Sequence, residues 1–310
     1  MSKVRDKKTR ELFDLIHADG DLEFDVSRFI EKLRGKEITQ ETDLFTRLVR
    51  SACLAGGQAN AIVAGHQSAI RRLFPETPAE AVTAFCVSEA KGPHPKHIHT
   101  KLDQAAGTIT GEKMWGTMAP PADRLYVAAS IGEVEGQNQL RMVGVDTGQA
   151  SIEQIPLPPE RQAGAVPICD LKFTATEVAS VSDDDAYVTY IKPFRLIEDV
   201  FSTIGMQIAL YRLGSDVGLT HAQREDLLGL IVQGQAVAET DMDGPGAILL
   251  ITSYLRASQA YWQNMHPNPS AEVASSWDFE RPILTVAARA RMQRRVNAWR
   301  ALGETITEED

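Results

Sequence analysis

Five side chains able to carry positive charge fall within nine residues, at Lys91, His94, Lys96, His97 and His99. Imidazole nitrogens suit zinc, and cations gathered on a loop can hold an anion. On an extended chain His97 and His99 share a face while His94 points the other way. Three readings stay open: a metal site, an anion-binding loop and an exposed turn; with the imidazoles split between faces, no metal is assigned. Asp183, Asp184 and Asp185 form an acidic run, read as a solvated turn rather than a cation site. Six arginines (281, 289, 291, 294, 295 and 300) stand without an acid between Arg281 and Arg300. They lack the interleaved aromatics and the module of a nucleic-acid binder, and are read as pairing with acidic groups inside an oligomer. Cys53, Cys86 and Cys169 are odd in number, far apart and without a CxxC. That pattern opposes a disulfide framework or zinc knuckle and fits a reducing, cytoplasmic compartment.

The elements that must position these groups follow from the rest of the chain. Its 310 residues are 43% hydrophobic, enough for a real core, and 32 basic against 42 acidic residues leave a net charge of −10. Such a field repels phosphate, which opposes a nucleic-acid or anionic-membrane partner. The strongest apolar run, Ala247 to Leu255, is about half the ~20 residues that span a bilayer, and the charged N-terminus carries no export signal. A cytoplasmic protein is expected.

Apolar residues recur at helical spacing from Arg10 to about Leu73 (Leu12, Phe13, Ile16; Phe29, Ile30, Leu33; Leu44, Phe45, Leu48, Val49) until Phe74-Pro75 and Pro78 stop the pattern. Between Ala84 and Ala186 the period becomes two, in short runs such as Phe85-Cys86-Val87, Leu125-Tyr126-Val127 and Cys169 to Phe173, punctuated by glycine and proline. Five to eight strands in that space leave no room for intervening helices, which excludes a doubly wound sheet and points to a small β-barrel or sandwich. After Tyr187 the helical period returns for four helices of a bundle: one through Leu196 to Tyr211, one through Leu227 to Ala238, one from Ala247 to Met265, and one from Arg281-Pro282 to Leu302. The expected fold is α+β in three domains: N-terminal helices (1–83), a central β domain (84–186) and a C-terminal four-helix bundle (187–310).

Within that order, Phe85-Cys86-Val87-Ser88-Glu89 is followed by Gly111-Glu112-Lys113-Met114-Trp115-Gly116-Thr117 and by Ala122-Asp123 before the strand Arg124 to Ala129. The three segments resemble the middle domain of the acyl-CoA dehydrogenase family, where a strand ending in Thr-Glu precedes a GxK-x-Trp/Phe-x-Thr/Ser segment and an Ala-Asp. The chain is similar to a divergent, shortened member. The resemblance implies FAD as cofactor, with Trp115 flanking the flavin ring, Thr117 hydrogen-bonding its edge and the Ser88 hydroxyl standing where the family has threonine. Such roles are chemically coherent: an electron-poor ring gains from an aromatic neighbour, and its edge from a donor where charge develops. The alternative is a packing aromatic and an ordinary strand hydroxyl. The resemblance also implies an acyl thioester or related small-molecule substrate, an electron-accepting flavoprotein as partner, and a homodimer or homotetramer.

Two departures from the family pattern matter. The loop after Glu89 reads Ala90-Lys91-Gly92-Pro93-His94-Pro95 in place of small residues and serine, so prolines replace amide donors and the nearby lysines and histidines are the remaining source of positive charge. The family's usual base follows a tyrosine in a late Tyr-Glu-Gly, which is absent; Asp278 is the acid of that region. A minority of the family carries its base in a Leu-Glu-Arg on the first helix of the bundle, and Ile197-Glu198-Asp199 aligns with it, making Glu198 the candidate general base. Glu198 also reads as a solvated acid in a first turn, and Arg195 stands where it could pair with it. Two functions remain: an FAD-dependent oxidoreductase removing an α-proton and a β-hydride, or a non-catalytic binding or assembly protein on the same fold.

Overall fold

The computed structural model describes residues 2–18, 20–162, 164–279 and 288–307. The fold is α+β. Five helices come first: α1 (Ser2–His17), α2 (Val26–Leu33), α3 (Lys36–Thr39), α4 (Leu44–Cys53) and α5 (Gln58–Leu73). Eight strands follow: β1 (Thr83–Cys86), β2 (Lys101–Asp103), β3 (Thr108–Thr117), β4 (Arg124–Val134), β5 (Gln137–Asp146), β6 (Ile152–Pro156), β7 (Ile168–Glu177) and β8 (Ser180–Val181). The chain then returns to helix in α6 (Lys192–Leu213), α7 (His221–Ala238), α8 (Gly244–Asn264), α9 (Ala271–Ser276) and α10 (Ala288–Ala301). Residues 280–287, and with them the expected helix start at Pro282, lie outside the described residues. Among the described residues no helix is long and apolar enough to cross a membrane.

The residues group into two compact units. One comprises Ile30–Thr39 and Ala69–Arg195, the other Met1–Phe29, Gln40–Ser68 and Leu196–Asp310.

In the first unit the strands make one sheet in the order β6-β7-β3-β2-β4-β5-β8, with β1 parallel to β4. Leu125 to Ala129 of β4 are buried without a break, as befits a central strand rather than a half-wetted one. The β4–β5 hairpin turns at Glu135 and Gly136, both with positive φ, a backbone that matches strand twist. Phe74, directly after α5, stacks at 3.7 Å on Tyr126 and at 4.9 Å on Tyr190. The proline-broken stretch after α5 is therefore pinned to the sheet.

In the second unit α5 and α6 cross where both are small. A Cβ on Gly65 would lie 2.4 Å from the Ser202 Cα, and one on Gly205 would lie 2.6 Å from the Ala61 carbonyl oxygen. Bare glycines thus let the two backbones touch. Deeper in, Tyr254 donates to the Gln207 side-chain oxygen at 2.7 Å, and the Gln207 amide donates to Ser258 at 2.8 Å, joining α8 to α6 through a buried polar network. Arg212 at the end of α6 donates to the carbonyl of Ile16, which α1 leaves without a helical partner, and to that of Gly20 beyond the helix. Tyr211 is engaged with α1 as well, its hydroxyl meeting His17 at 2.8 Å.

Candidate functional site

Strand β3 is irregular where its chemistry is concentrated. Lys113 faces Leu171 and Gly116 faces Cys169, so two residues, Met114 and Trp115, oppose the single Asp170 of β7. This is a β-bulge, which re-aims side chains. Trp115 adopts φ +62°, rare for a bulky residue, and its indole is 45% exposed. Its amide, turned out of the ladder, donates to Asp170 Oδ1 at 2.9 Å. Arg161 donates to both Asp170 oxygens, at 2.9 and 3.2 Å, and lays its guanidinium 4.3 Å from the indole centroid. The result is a closed triangle of aromatic ring, carboxylate and cation.

The other two cofactor candidates lie along the same strand or beside it. Met114 N–H donates to the Ser88 carbonyl at 2.8 Å, which ties Ser88 to the bulge. Thr117, half-buried, pairs with Ile168 two residues beyond Trp115. Among the described residues neither the Ser88 nor the Thr117 hydroxyl hydrogen-bonds a protein group. An outward aromatic ring on β3, with the Thr117 hydroxyl on the same strand and the Ser88 hydroxyl on the segment bonded to its bulge, is a donor set that fits a flavin.

Beneath the bulge lies a buried charge pair. Lys113 is 0% exposed and donates to Glu89 Oε1 at 2.7 Å and to the Val87 carbonyl at 3.2 Å. Glu89 also accepts the amides of His99 and Thr100 and the Thr100 hydroxyl. Burial would raise the Glu89 carboxyl, but the Lys113 charge and these donors outweigh it and hold the pKa below its usual value. Burial pulls the Lys113 ammonium down against the pull of Glu89. Glu89 thus fixes both ends of the loop that carries the histidines. Cys86 and Cys169 are buried in the same sheet, their thiols pushed up to about 12 and about 11, chiefly by burial, which makes them inert rather than reactive.

The histidine loop differs from an extended run. His94 caps a single turn over Pro95–His97, and this turn brings the His94 and His97 rings to 6.1 Å. The expected pairing of His97 with His99 on one face therefore gives way to His94 with His97. Asn138 donates to the Pro95 and Ile98 carbonyls at 2.9 Å and holds the turn against β5. His97 is held below its ordinary pKa by desolvation and by the positive charges of Lys96, His94, Lys91 and His99. Among the described residues no group of three or more His, Cys, Asp or Glu could hold a metal ion. The adjoining cavity of about 610 Å³ is lined by His94 and Lys96 but also by Glu133 and Asp185, so both signs of charge face it.

In the helical unit Glu198 lies in the second turn of α6, not the first, because α6 begins at Lys192 and continues a wider turn over Tyr187–Ile191. Its helix neighbours Ile197, Val200 and Phe201 are buried. Across the glycine crossing, His66 Nδ1 of α5 meets Glu198 Oε1 at 2.7 Å, with side-chain exposures of 2% and 17%. The next acid, Asp199, is buried and takes an Arg291 hydrogen bond at 3.1 Å from α10. Asp278 is exposed, and its amide donates to the Gln58 side chain at 2.8 Å.

His66, Arg161 and Asp170 are site residues that the sequence does not announce. His66 and Glu198 are 132 positions apart and Trp115 and Asp170 are 55 apart, so no local spacing links them. A histidine on an otherwise apolar helix face, directly after a glycine, is the one signal present for His66.

No protein-family model matches the sequence, and no curated protein does. Solved structures do match in fold. A putative acyl-CoA dehydrogenase from Mycobacterium smegmatis is 15% identical, with 97% of each chain covered and a TM-score of 0.55. The glutaryl-coenzyme A dehydrogenase in its glutaryl-CoA complex is 13% identical over 89% of this chain and 84% of that one, TM-score 0.57. PigA with FAD and proline is 11% identical over 98% of both, TM-score 0.58. The chain has an acyl-CoA dehydrogenase-like fold.

Proposed function

We propose that this protein is an FAD-dependent oxidoreductase of the acyl-CoA dehydrogenase type, acting on an acyl thioester or a related small molecule. The observation that carries the reading is the strained, outward Trp115 on the β3 bulge, with Ser88 tied beside it. Backbone strain of that kind is kept where surrounding structure enforces it for use. Trp115 would flank the flavin, and Ser88 and Thr117 would offer hydroxyls to its edge. FAD, when bound, supplies the hydride acceptor. Glu198 would take the substrate's α-proton while the β-hydrogen leaves with its electron pair; partial burial among apolar neighbours favours a carboxylate's basicity. The rebuilt loop from Ala90 to Pro95 leaves the thioester's carrier group undefined. Free cysteines, of which Cys86 and Cys169 are buried, accord with a cytoplasmic setting, an electron-accepting flavoprotein would reoxidise the cofactor, and a homo-oligomer is part of the same reading.

FAD titration tests it directly. The wild-type protein should bind FAD and turn yellow, and Trp115→Ala should bind it roughly threefold or more weakly, since aromatic stacking contributes about 0.5 to 1.5 kcal/mol beyond burial. Glu198→Gln should keep the flavin spectrum and lose about 10²-fold or more in the rate of flavin bleaching by substrate. A colourless protein that cannot be reconstituted would favour the non-catalytic binding or assembly role.

A further inference from the structure

Glu198 does not stand alone. Behind it, on the buried side, an imidazole from another helix meets one of its oxygens at 2.7 Å. The approach is built into the backbone: Gly65 precedes His66, and its missing side chain lets α5 rest on Ser202, one turn after Glu198. A ring nitrogen that close to a carboxylate oxygen shares a hydrogen with it. The buried imidazole therefore fixes the carboxylate's orientation, as an orienting group fixes a base in a catalytic pair. The neighbouring acid does not compete for it, because Asp199 has Arg291.

We propose that His66 is the positioning residue of Glu198, holding its carboxylate in the one orientation that can receive a substrate proton. The proposal rests on reading Glu198 as the base. No electron passes through His66: the α C–H bond breaks, its proton goes to the Glu198 carboxylate, and the imidazole keeps its hydrogen bond throughout. Next to Glu198 on α6 the charged group is Asp199, engaged by Arg291 of α10.

Two variants separate positioning from packing. His66→Asn keeps an amide where Nδ1 stands, and His66→Leu keeps bulk without a donor. The first measurement needs neither cofactor nor substrate: NMR of the protein as purified should show the His66 ring nitrogens shift in Glu198→Gln. The Glu198 carboxyl should titrate at higher pH in His66→Leu, since a donor to its charged form is gone. The second uses the FAD-loaded protein with straight-chain acyl-CoA thioesters, butyryl to palmitoyl, as probes. Flavin bleaching should slow about 10²-fold in His66→Leu with KM within about twofold, because a misaimed base loses rate rather than binding. In His66→Asn it should stay within about threefold of wild type. If wild type bleaches, Glu198→Gln does not, and His66→Leu matches wild type in rate and carboxyl titration, the positioning role is wrong while the base stands. If no probe bleaches wild type, or Glu198→Gln is silent, the base reading falls and the positioning role with it.

Discussion

A lysine with no solvent contact is stable only with its charge answered, and among the described residues Lys113 has a single carboxylate, Glu89, within hydrogen-bond reach. Glu89 has further donors from His99 and Thr100, so the two halves of the pair are unequally dependent. Glu89→Gln strands a buried ammonium and should cost about 3 kcal/mol, near the lower end for breaking a buried pair. Lys113→Met should cost less, since the carboxylate keeps its other donors. Chemical denaturation of the two variants checks the order, and equal losses would overturn it. The pH dependence has a definite sign. Glu89 is held below its usual pKa of about 4.5 when folded, so its contribution is complete above that value and is lost as pH falls through the lower folded one. Both residues are visible in the sequence within the segments that resemble the family, but their ion pair is not, because sequence alone gives no hint that position 113 has no solvent access. Trp115 shows the same limit: its type is readable, whereas the bulge that turns it outward depends on how β3 registers against β7.

Helix packing offers a sharper test at the scale of elements, because one glycine is filled by a neighbour and another is not. Gly65→Ala puts a methyl 2.4 to 2.5 Å from Ser202 backbone atoms, so α5 and α6 must part. Overpacking of this kind costs about 1 to 3 kcal/mol, more than the ~1 kcal/mol by which alanine improves a helix. Gly229→Ala on α7 meets nothing within 4 Å and should stabilise by about 0.4 to 1 kcal/mol. Opposite shifts in thermal midpoint are expected, and Gly65→Ala should also weaken the His66–Glu198 contact seen by NMR. From the sequence both are merely glycines inside helical patterns, distinguishable only once a crossing is known. Long elements were legible for the opposite reason: Leu196 to Tyr211 and Leu125 to Val127 carry their periods in their own residues. The short ones, α3, α9, β2 and β8, carry too few residues for a period, and Ser270 capping α9 is their kind of local cue. The histidine turn departs from an extended run because His94 accepts the Lys96 amide and Pro95 begins a helical turn, local bonds that override the sequence pattern.

For the whole molecule the distribution of charge is more informative than its sum. A net charge of −10 keeps copies apart at long range, yet Arg289, Arg291, Arg294, Arg295 and Arg300 all lie on or at the end of α10. That helix packs on α8, where Leu250 is exposed, and ends beside the exposed Leu302. Met292, Val296 and Trp299 remain half-buried and Ala288 is exposed. A basic, partly apolar helix on an acidic chain would be complementary to carboxylates of a second copy. Association through the C-terminal helices should bury the apolar residues while arginines meet carboxylates. Light scattering at micromolar concentration should therefore give twice the 34.0 kDa chain mass or four times it. Because exposed ion pairs at an interface are screened over about 8 Å at physiological ionic strength and over about 3 Å at 1 M, the oligomer should loosen as salt rises. Replacing the exposed Arg289 and Arg300 together by glutamine should reduce that salt dependence. A monomer at low salt, or an oligomer whose mass and salt response both survive the double replacement, would show that α10 does not face a second copy.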